Sequence, residues 1–451
     1  MTDTKIKLPE AVSKIIDRIT EAGYEAYAVG GCIRDMLLGR KPDDFDITTS
    51  AMPEEIKGLF RRTIDTGIEH GTVTVMSGDI GYEITTYRID GKYEDSRHPS
   101  NVTFTRSLRE DLQRRDFTIN AMAYNDKDGL QDPFDGVSDL KSGIIRCVGD
   151  PVKRLSEDAL RIMRAVRFSA QLGYEIEDKT LEAMKALAPN LELISKERIQ
   201  VELVKLLCSD HPDKLRLAYE CGITKVIMPE FDRMMECAQN NPHHCYSVGE
   251  HTIHTILNTD NDKNMRLGAL FHDMGKPECK KTDEEGIDHF HGHPEVSKVL
   301  ANNILRRLKF DNNTIKTASA LAGYHDLYVD PTLRGVRRAM NKVGRDLFPM
   351  VLKMKYADIK AQSDFKREEK LQKLDKLTAL YEEIIKQGDC VTVKDLAISG
   401  RDLMALGIPE GPGLKEVLLK LLDAVIDEPS LNNRESLIEL VKKEYGNAPK
   451  R

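Results

Sequence analysis

Between residues 29 and 46 the sequence reads Val29-Gly30-Gly31, then Cys32-Ile33-Arg34-Asp35, then Asp44-Phe45-Asp46. Side chains two residues apart on a strand share a face, so this spacing predicts a strand that offers the Asp44 and Asp46 carboxylates side by side and turns Phe45 into the core. Paired hard oxygen donors suit two magnesium ions about 3.5–4 Å apart, the arrangement that clamps the attacking and leaving oxygens in phosphoryl transfer. Gly30 and Gly31, lacking side chains and opening a helix, would let a triphosphate approach free backbone N–H groups. A Gly-Gly turn or an Asp-x-Asp pair is commonplace alone. Together in so short a span they point to nucleotidyl transfer.

Two further clusters suit the rest of a nucleotide. Arg114-Arg115-Asp116-Phe117-Thr118-Ile119-Asn120-Ala121 sets guanidinium groups, which pair with phosphate oxygens, beside Asp116 and Asn120, which can bond a ribose hydroxyl or hold the arginines in place. Asp132-Pro133-Phe134-Asp135-Gly136 reads as a closing turn. In Glu157-Asp158-Ala159-Leu160-Arg161, with Ser156 expected as N-cap, one helix face carries the Asp158 acceptor beside the Arg161 donor, oriented by Glu157. Cytosine and adenine both present an amino donor next to a ring-nitrogen acceptor and fit that edge, whereas uracil and guanine present the reverse order. Arg164 and Arg167 follow on the same helix, available to phosphates or RNA.

The second half holds a different chemistry. His251, His272-Asp273 and Asp358 come from separate expected helices, with His293 and His325 as additional candidates. Mixed imidazole and carboxylate ligands suit manganese, nickel, cobalt or iron.

The elements that must position these groups fall into two regimes. An initial helix over 9–22 is followed by short β-patterned runs at 25–29, 44–48, 71–76 and 81–87, which predict a mixed sheet with helices packed on it. Beyond Pro151 the apolar spacing becomes three and four, as over 158–172 and 198–208, and the chain reads as almost wholly helical. The fold class is therefore α+β. The expected division is a sheet-containing head over 1–145, a helical neck over 146–212, a helical body over 213–390 with the histidine-rich part at about 240–365, and a helical tail over 391–451.

At 451 residues, 40% of them hydrophobic, the chain is long enough for several cores. Neither a signal pattern nor an apolar run of membrane-spanning length is found, which predicts a cytoplasmic location. The eight cysteines form no C-x-x-C pair, which predicts reduced thiols. A net charge of −7 argues against indiscriminate nucleic-acid binding, but residues 331–374 carry twelve Lys and Arg against five Asp and Glu, either a phosphate-tracking face or a solvated helix surface. The loop at 407–413 could present the following helix to an RNA phosphate.

The ordered set Gly30-Gly31-x-x-Arg34-Asp35 with Asp44-x-Asp46, Arg114 to Ala121, Asp132-Pro133-Phe134-x-Gly136, Glu157-Asp158-x-x-Arg161, and Glu197-Arg198-x-x-x-Glu202-x-x-Lys205 resembles the five motifs of class II CCA-adding tRNA nucleotidyltransferases, a likeness covering the first half of the chain. It implies a head, neck, body and tail, and template-free addition of CCA to tRNA 3′ ends from CTP and ATP. By position, Asp44 and Asp46 are then catalytic metal ligands for Mg²⁺. Gly30, Gly31 and Arg34 serve the triphosphate, and Arg115, Asp116, Asn120 and Arg164 the sugar and phosphates. Glu157, Asp158 and Arg161 template the base, Glu197 and Arg198 steady that pocket, and Glu83 is a candidate third acid. Relatives that make poly(A), CC or A alone share this head. The polar loop at 87–108, with Arg88, Asp90, Arg97 and His98, favours full CCA because it resembles the flexible loop that CC-only enzymes lack. The His251, His272-Asp273 and Asp358 set resembles the HD phosphohydrolase domain of some bacterial relatives, implying a second divalent metal and hydrolysis of phosphoesters at RNA ends. Two other functions remain open from sequence: an HD hydrolase whose head only recognises substrate, and a non-catalytic RNA-binding protein.

Overall fold

The computed structural model describes residues 6–91 and 102–445, so Arg97 and His98 of the polar loop lie outside the described residues. The chain forms two compact units, Met1–Asp232 and Arg233–Arg451.

The first unit begins with α1 (Glu10–Glu21), which buries Val12, Ile15, Ile16 and Ile19, the stripe expected of a helix on a sheet. Then come β1 (Ala26–Val29), α2 (Gly31–Leu37), β2 (Asp46–Thr49), α3 (Pro53–Leu59), β3 (Thr63–Gly67), β4 (Thr72–Ser77) and β5 (Ile80–Thr86). Next are β6 (Arg88–Asp90), β7 (Val102–Phe104), α4 (Leu108–Gln113), β8 (Ala123–Asn125), β9 (Gly129–Gln131) and α5 (Gly136–Ser142). Seven strands make one mixed sheet in the order β3-β4-β5-β2-β1-β8-β9, with β2 and β5 parallel and the other pairs antiparallel. The ends of the polar loop are ordered as a ribbon, β6 on β7. Asp132 closes the sheet as expected, its carboxylate accepting from the Gly136 and Val137 backbone at 2.7 and 2.9 Å.

One expectation about the Asp44–Asp46 segment fails. Asp44 precedes β2, and Phe45 is half-exposed rather than core. The cause is Gly30: its φ of 83° takes β1 out of extended geometry, so pairing starts at Val29 opposite Asp46 and nothing remains for Asp44 to pair with.

Helices α6 (Pro151–Glu157), α7 (Leu160–Leu172), α8 (Asp178–Leu187) and α9 (Lys196–Leu207) follow in the same unit. Ser156 is not an N-cap but lies inside α6, which starts where Asp150 accepts from the Lys153 backbone at 2.7 Å with Pro151 in the first turn, a stronger start signal. Glu157 thus ends one helix, and Asp158 stands in the break before the next. Strands do not stop at Pro151 either: Ile144–Ile145 pairs with Glu175–Ile176, and Lys281–Thr282 with Asp288–His289. Residues 213–232, assigned to the body from sequence, pack in the first unit.

The second unit is otherwise helical. Val336, Met340, Phe348 and Leu374 centre one apolar cluster, and Leu403, Val417, Leu421, Val425 and Leu437 centre another. Much of the basic excess over 331–374 is internally matched: Arg334 and Arg338 both bind Asp427 (2.6 and 2.9 Å), and Arg337 binds Asp389 (2.9 Å).

Candidate functional site

The register Val29↔Asp46 sets the second carboxylate beside the Gly30-Gly31 turn, and Asp44, exposed, precedes it on the same segment. Both line a cavity of about 630 Å³ with Gly30, Gly31, Arg115 and Arg164. A Cβ on Gly30 would sit 3.0 Å from Arg115 Nη1, so glycine is needed there both for backbone angle and for room. The Asp46 pKa is raised, by burial first and then by the charges of Asp44 and Glu83, against the pull of Arg115. Glu83 is level with Asp46 because β5 runs parallel to β2 with Ile84 opposite Ile47. Such crowding of carboxylates is what a divalent cation would relieve.

Buried acids fix the cationic wall. Asp116 takes Arg164 through Nε and Nη2 at 2.8 and 2.6 Å and Asn120 Nδ2 at 3.1 Å, while Asn120 Oδ1 accepts from Arg34 Nη1 at 2.8 Å. Burial would lift the Asp116 pKa, but Arg164 and these bonds hold it well below the usual carboxylate range. Phe168 carries three guanidiniums on its ring, Arg167 at 3.7 Å, Arg34 at 4.9 Å and Arg164 at 5.4 Å from the centroid. Arg167 also pairs with Glu202 at 2.5 Å.

Glu157, Asp158 and Arg161, expected from sequence to template the base, stand apart from this cavity. Glu157 bridges Arg154 and Arg161 at 2.6 and 2.7 Å, and Asp158 pairs with Arg198 at 2.7 Å. Arg161 is 9% exposed, donating also to the carbonyls of Arg154 (2.8 Å) and Arg114 (3.0 Å).

In the second unit six residues converge. His251 on Val248–Leu257, His272-Asp273 after Lys263–Phe271, His293 at the start of His293–Arg307, His325 after Asn312–Tyr324 and Asp358 on Phe348–Ala361 meet around Asp273. His251 Nε2 is 2.9 Å from Asp358 Oδ1 and 3.5 Å from Asp273 Oδ2, and His272 Nε2 is 3.3 Å from that same oxygen. His293 and His325 approach Asp273 Oδ1 at 3.3 and 3.5 Å. Lys276 Nζ lies 2.7 Å from Asp273 Oδ2. His244 lines the adjoining cavity, its pKa lowered to about 3 by burial and then by Lys276.

A CCA-adding enzyme of Levilactobacillus brevis is 36% identical over 436 residues, an alignment covering 96% of this chain and 97% of that protein. The chain belongs to the CCA-adding enzyme family. A stretch of 193 residues is 56% identical to the CCA-adding enzyme of Leuconostoc mesenteroides, and there the chain spans about half (48%) of the relative's length. Residues 26–146 match the Poly A polymerase head domain, 173–235 the "Probable RNA and SrmB- binding site of polymerase A", and 281–441 tRNA nucleotidyltransferase domain 2. The crystal structure of Bacillus stearothermophilus CCA-adding enzyme in complex with CTP superposes with a TM-score of 0.71 at 30% identity, covering 98% of this chain and all of that one.

For this CCA-adding family member, the structure gathers Gly30, Gly31, Arg34, Asp44, Asp46, Arg115, Asp116, Asn120 and Arg164 around one cavity, and leaves Glu157, Asp158 and Arg161 off its wall. Sequence reasoning missed Asp111 and Phe168. Asp111 is fully buried and holds Arg114 at 2.9 Å and Arg115 at 3.6 Å. Its signal was an acid three and four residues before two arginines, the spacing of helix ion pairs. Phe168 gave none, being one apolar residue among many on α7.

Proposed function

We propose that this chain adds CMP and AMP from CTP and ATP to tRNA 3′ ends without a nucleic-acid template, acting in the cytoplasm. The observation that carries the reading is the Val29↔Asp46 register, which sets the Asp44–Asp46 carboxylates at a cavity walled by Gly30-Gly31 and guanidiniums. The end-to-end likeness to a CCA-adding enzyme supports it. Asp44 and Asp46 would hold magnesium, with Glu83 nearby. Bound there, magnesium supplies activation of the RNA hydroxyl and neutralisation of the departing pyrophosphate. Arg115 and Arg164, immobilised by Asp111 and Asp116, orient the phosphates for in-line attack. Asp158 and Arg161 read the base edge once Asp158 exchanges Arg198 and Arg161 exchanges its carbonyl partners for it, Glu157 keeping its hold on Arg161. The head and neck divide at about 145 and the body and tail at about 390, with the neck reaching to about 232, where the first unit ends, and RNA held along the helical parts.

The test uses purified protein, magnesium and tRNA transcripts truncated at each 3′ position, with CTP and ATP separately and together. Products ending in CCA are expected. Poly(A) tails, or arrest at CC or before A, would assign the chain to those relatives instead. Asp44→Ala or Asp46→Ala should cut incorporation about a thousandfold, the several kcal/mol of charge stabilisation lost with the ions. Asp158→Ala should blur the choice of CTP and ATP over UTP and GTP.

A second reading is favoured by the convergence of four imidazoles and two carboxylates in the second unit: a metal-dependent phosphoester hydrolase of the HD type, acting on RNA ends. It predicts phosphate release that survives Asp46→Ala and is lost with Asp273→Ala.

A further inference from the structure

Glu157 serves two arginines. Its Oε2 accepts from Arg161 Nη1 at 2.7 Å and from Arg154 Nη1 at 2.6 Å. The same pair shares a second acceptor, the carbonyl of Arg114, which takes Arg161 Nη2 at 3.0 Å and Arg154 Nη1 at 3.1 Å. Arg114 caps the C-terminus of α4, where the last carbonyls of a helix have no partner within it. Arg154 covers that end more widely than Arg161 does: Nη2 takes the Gln113 carbonyl at 2.6 Å, and Nε reaches the Val148 carbonyl, ahead of α6, at 3.2 Å. It is 7% exposed, and its fork holds together the end of α4, the approach to α6 and Glu157 at the end of α6.

In the base-reading role proposed above, Arg161 is the member that moves. Leaving α4 for a base edge, it vacates the Arg114 carbonyl, and stripping a buried acceptor of its donor is destabilising. Arg154 removes that obstacle because it already donates to the same carbonyl, and it also fixes the Glu157 carboxylate from which Arg161 is aimed. We infer that Arg154 is a positioning residue for nucleotide choice: it anchors Glu157 and stands in for Arg161 on the α4 carbonyl, so that Arg161 is both aimed and releasable. Its own guanidinium meets protein rather than nucleotide. A lysine offers a single nitrogen where this role needs a fork, so Arg154→Lys keeps the charge beside Glu157 and loses the carbonyls. Arg161 is then the donor on which the Arg114 carbonyl depends, and a cytosine or adenine edge must compete with that carbonyl for it. Uracil and guanine, which do not fit that edge, meet no such competition. The inference rests on the base-reading role and adds to it the residue that holds the reader in place.

The purified full chain is assayed with magnesium and the truncated tRNA transcripts, each nucleotide varied alone. Arg154→Lys is expected to raise KM for CTP and ATP about tenfold or more, with kcat within about threefold of the parent and KM for UTP unchanged, so that discrimination falls with the rise in KM. Loss of folded protein alone would lower kcat equally for every nucleotide and leave the ratio as it was, and far-UV circular dichroism checks that the variant is folded. Arg161→Lys should blur the same choice, and Arg154→Lys/Arg161→Lys should be no worse than Arg161→Lys, because one residue acts through the other. In unsubstituted protein crystallised with CTP, Arg161 should have left the Arg114 carbonyl while Arg154 keeps that carbonyl and Glu157. Undiminished discrimination by folded Arg154→Lys, effects that multiply in the double variant, or Arg154 displaced in the CTP complex overturns the assignment and leaves the base-reading role standing. Discrimination left intact by Asp158→Ala defeats the base-reading role itself, and the assignment falls with it.

Discussion

Removing Glu202 should destabilise the first unit while touching none of the proposed catalytic groups. Glu202 and Arg167 are paired at 2.5 Å with side chains only 6% and 7% exposed. Arg167 also gives Nη1 to Gln171 at 2.7 Å and lies on Phe168, so it cannot swing to water without breaking both contacts. Burial draws the Arg167 pKa down and the Glu202 charge opposes it, but an arginine stays protonated at neutral pH regardless. Glu202→Ala therefore strands a buried cation, a loss of about 3–5 kcal/mol. With a urea dependence of about 3 kcal/mol per molar for a unit this large, the midpoint should fall by roughly 1–2 M. The chain has no tryptophan, so far-UV ellipticity is the signal. Glu202→Gln, which keeps an acceptor, should lose less, about 1.5–3 kcal/mol. Arg167→Met/Glu202→Met should recover most of the loss, because the desolvated charges go together. A midpoint for Glu202→Ala within about 0.3 M of the parent, several-fold below the shift worked from burial, would refute the reasoning.

Gly136→Ala would place a Cβ 2.3 Å from the Thr118 carbonyl oxygen and 3.0 Å from Met122 Cγ, so a loss of about 1–3 kcal/mol is expected in the same urea titration. Because Arg164 holds the Asp116 pKa below its ordinary 3.8, the stability Asp116 contributes is full above that value and fades as pH falls below it. The free-energy difference between the parent and Asp116→Asn should thus be flat from about pH 5 to 7 and shrink below about pH 4; a difference growing on acidification would contradict the pairing. Burial pushes the Cys32 and Cys147 thiols up to about 12, whereas Cys245 is exposed. Brief alkylation at pH 8 followed by peptide mass spectrometry should label Cys245 and spare the other two.

The head was legible from sequence wherever chemistry and local rules coincided. Gly30-Gly31, Asp46, Arg115 and Asn120, singled out by the turn glycines, the paired acids and the guanidinium cluster, all line one cavity. The placement of Asp44 failed because a period-two pattern does not reveal where a neighbouring strand ends, and β1 ends at a left-handed glycine. The break between α6 and α7 was missed because apolar spacing runs smoothly through Asp158, while Asp150-Pro151, the true start, lies outside that pattern. The paired use of Asp273 was beyond reach: spacing along a chain cannot say which oxygen of a carboxylate faces which imidazole.

Phe168 has a consequence for how this site tolerates damage. The ring is 4% exposed and each of its three guanidinium neighbours has its own acid, Arg34 with Asp35, Arg164 with Asp116 and Arg167 with Glu202. Losing any one acid disturbs one cation; losing the ring loosens all three together. Position 168 is therefore a single point of failure, open to other planar side chains and closed to aliphatic ones, and a second substitution elsewhere has no single partner to repair.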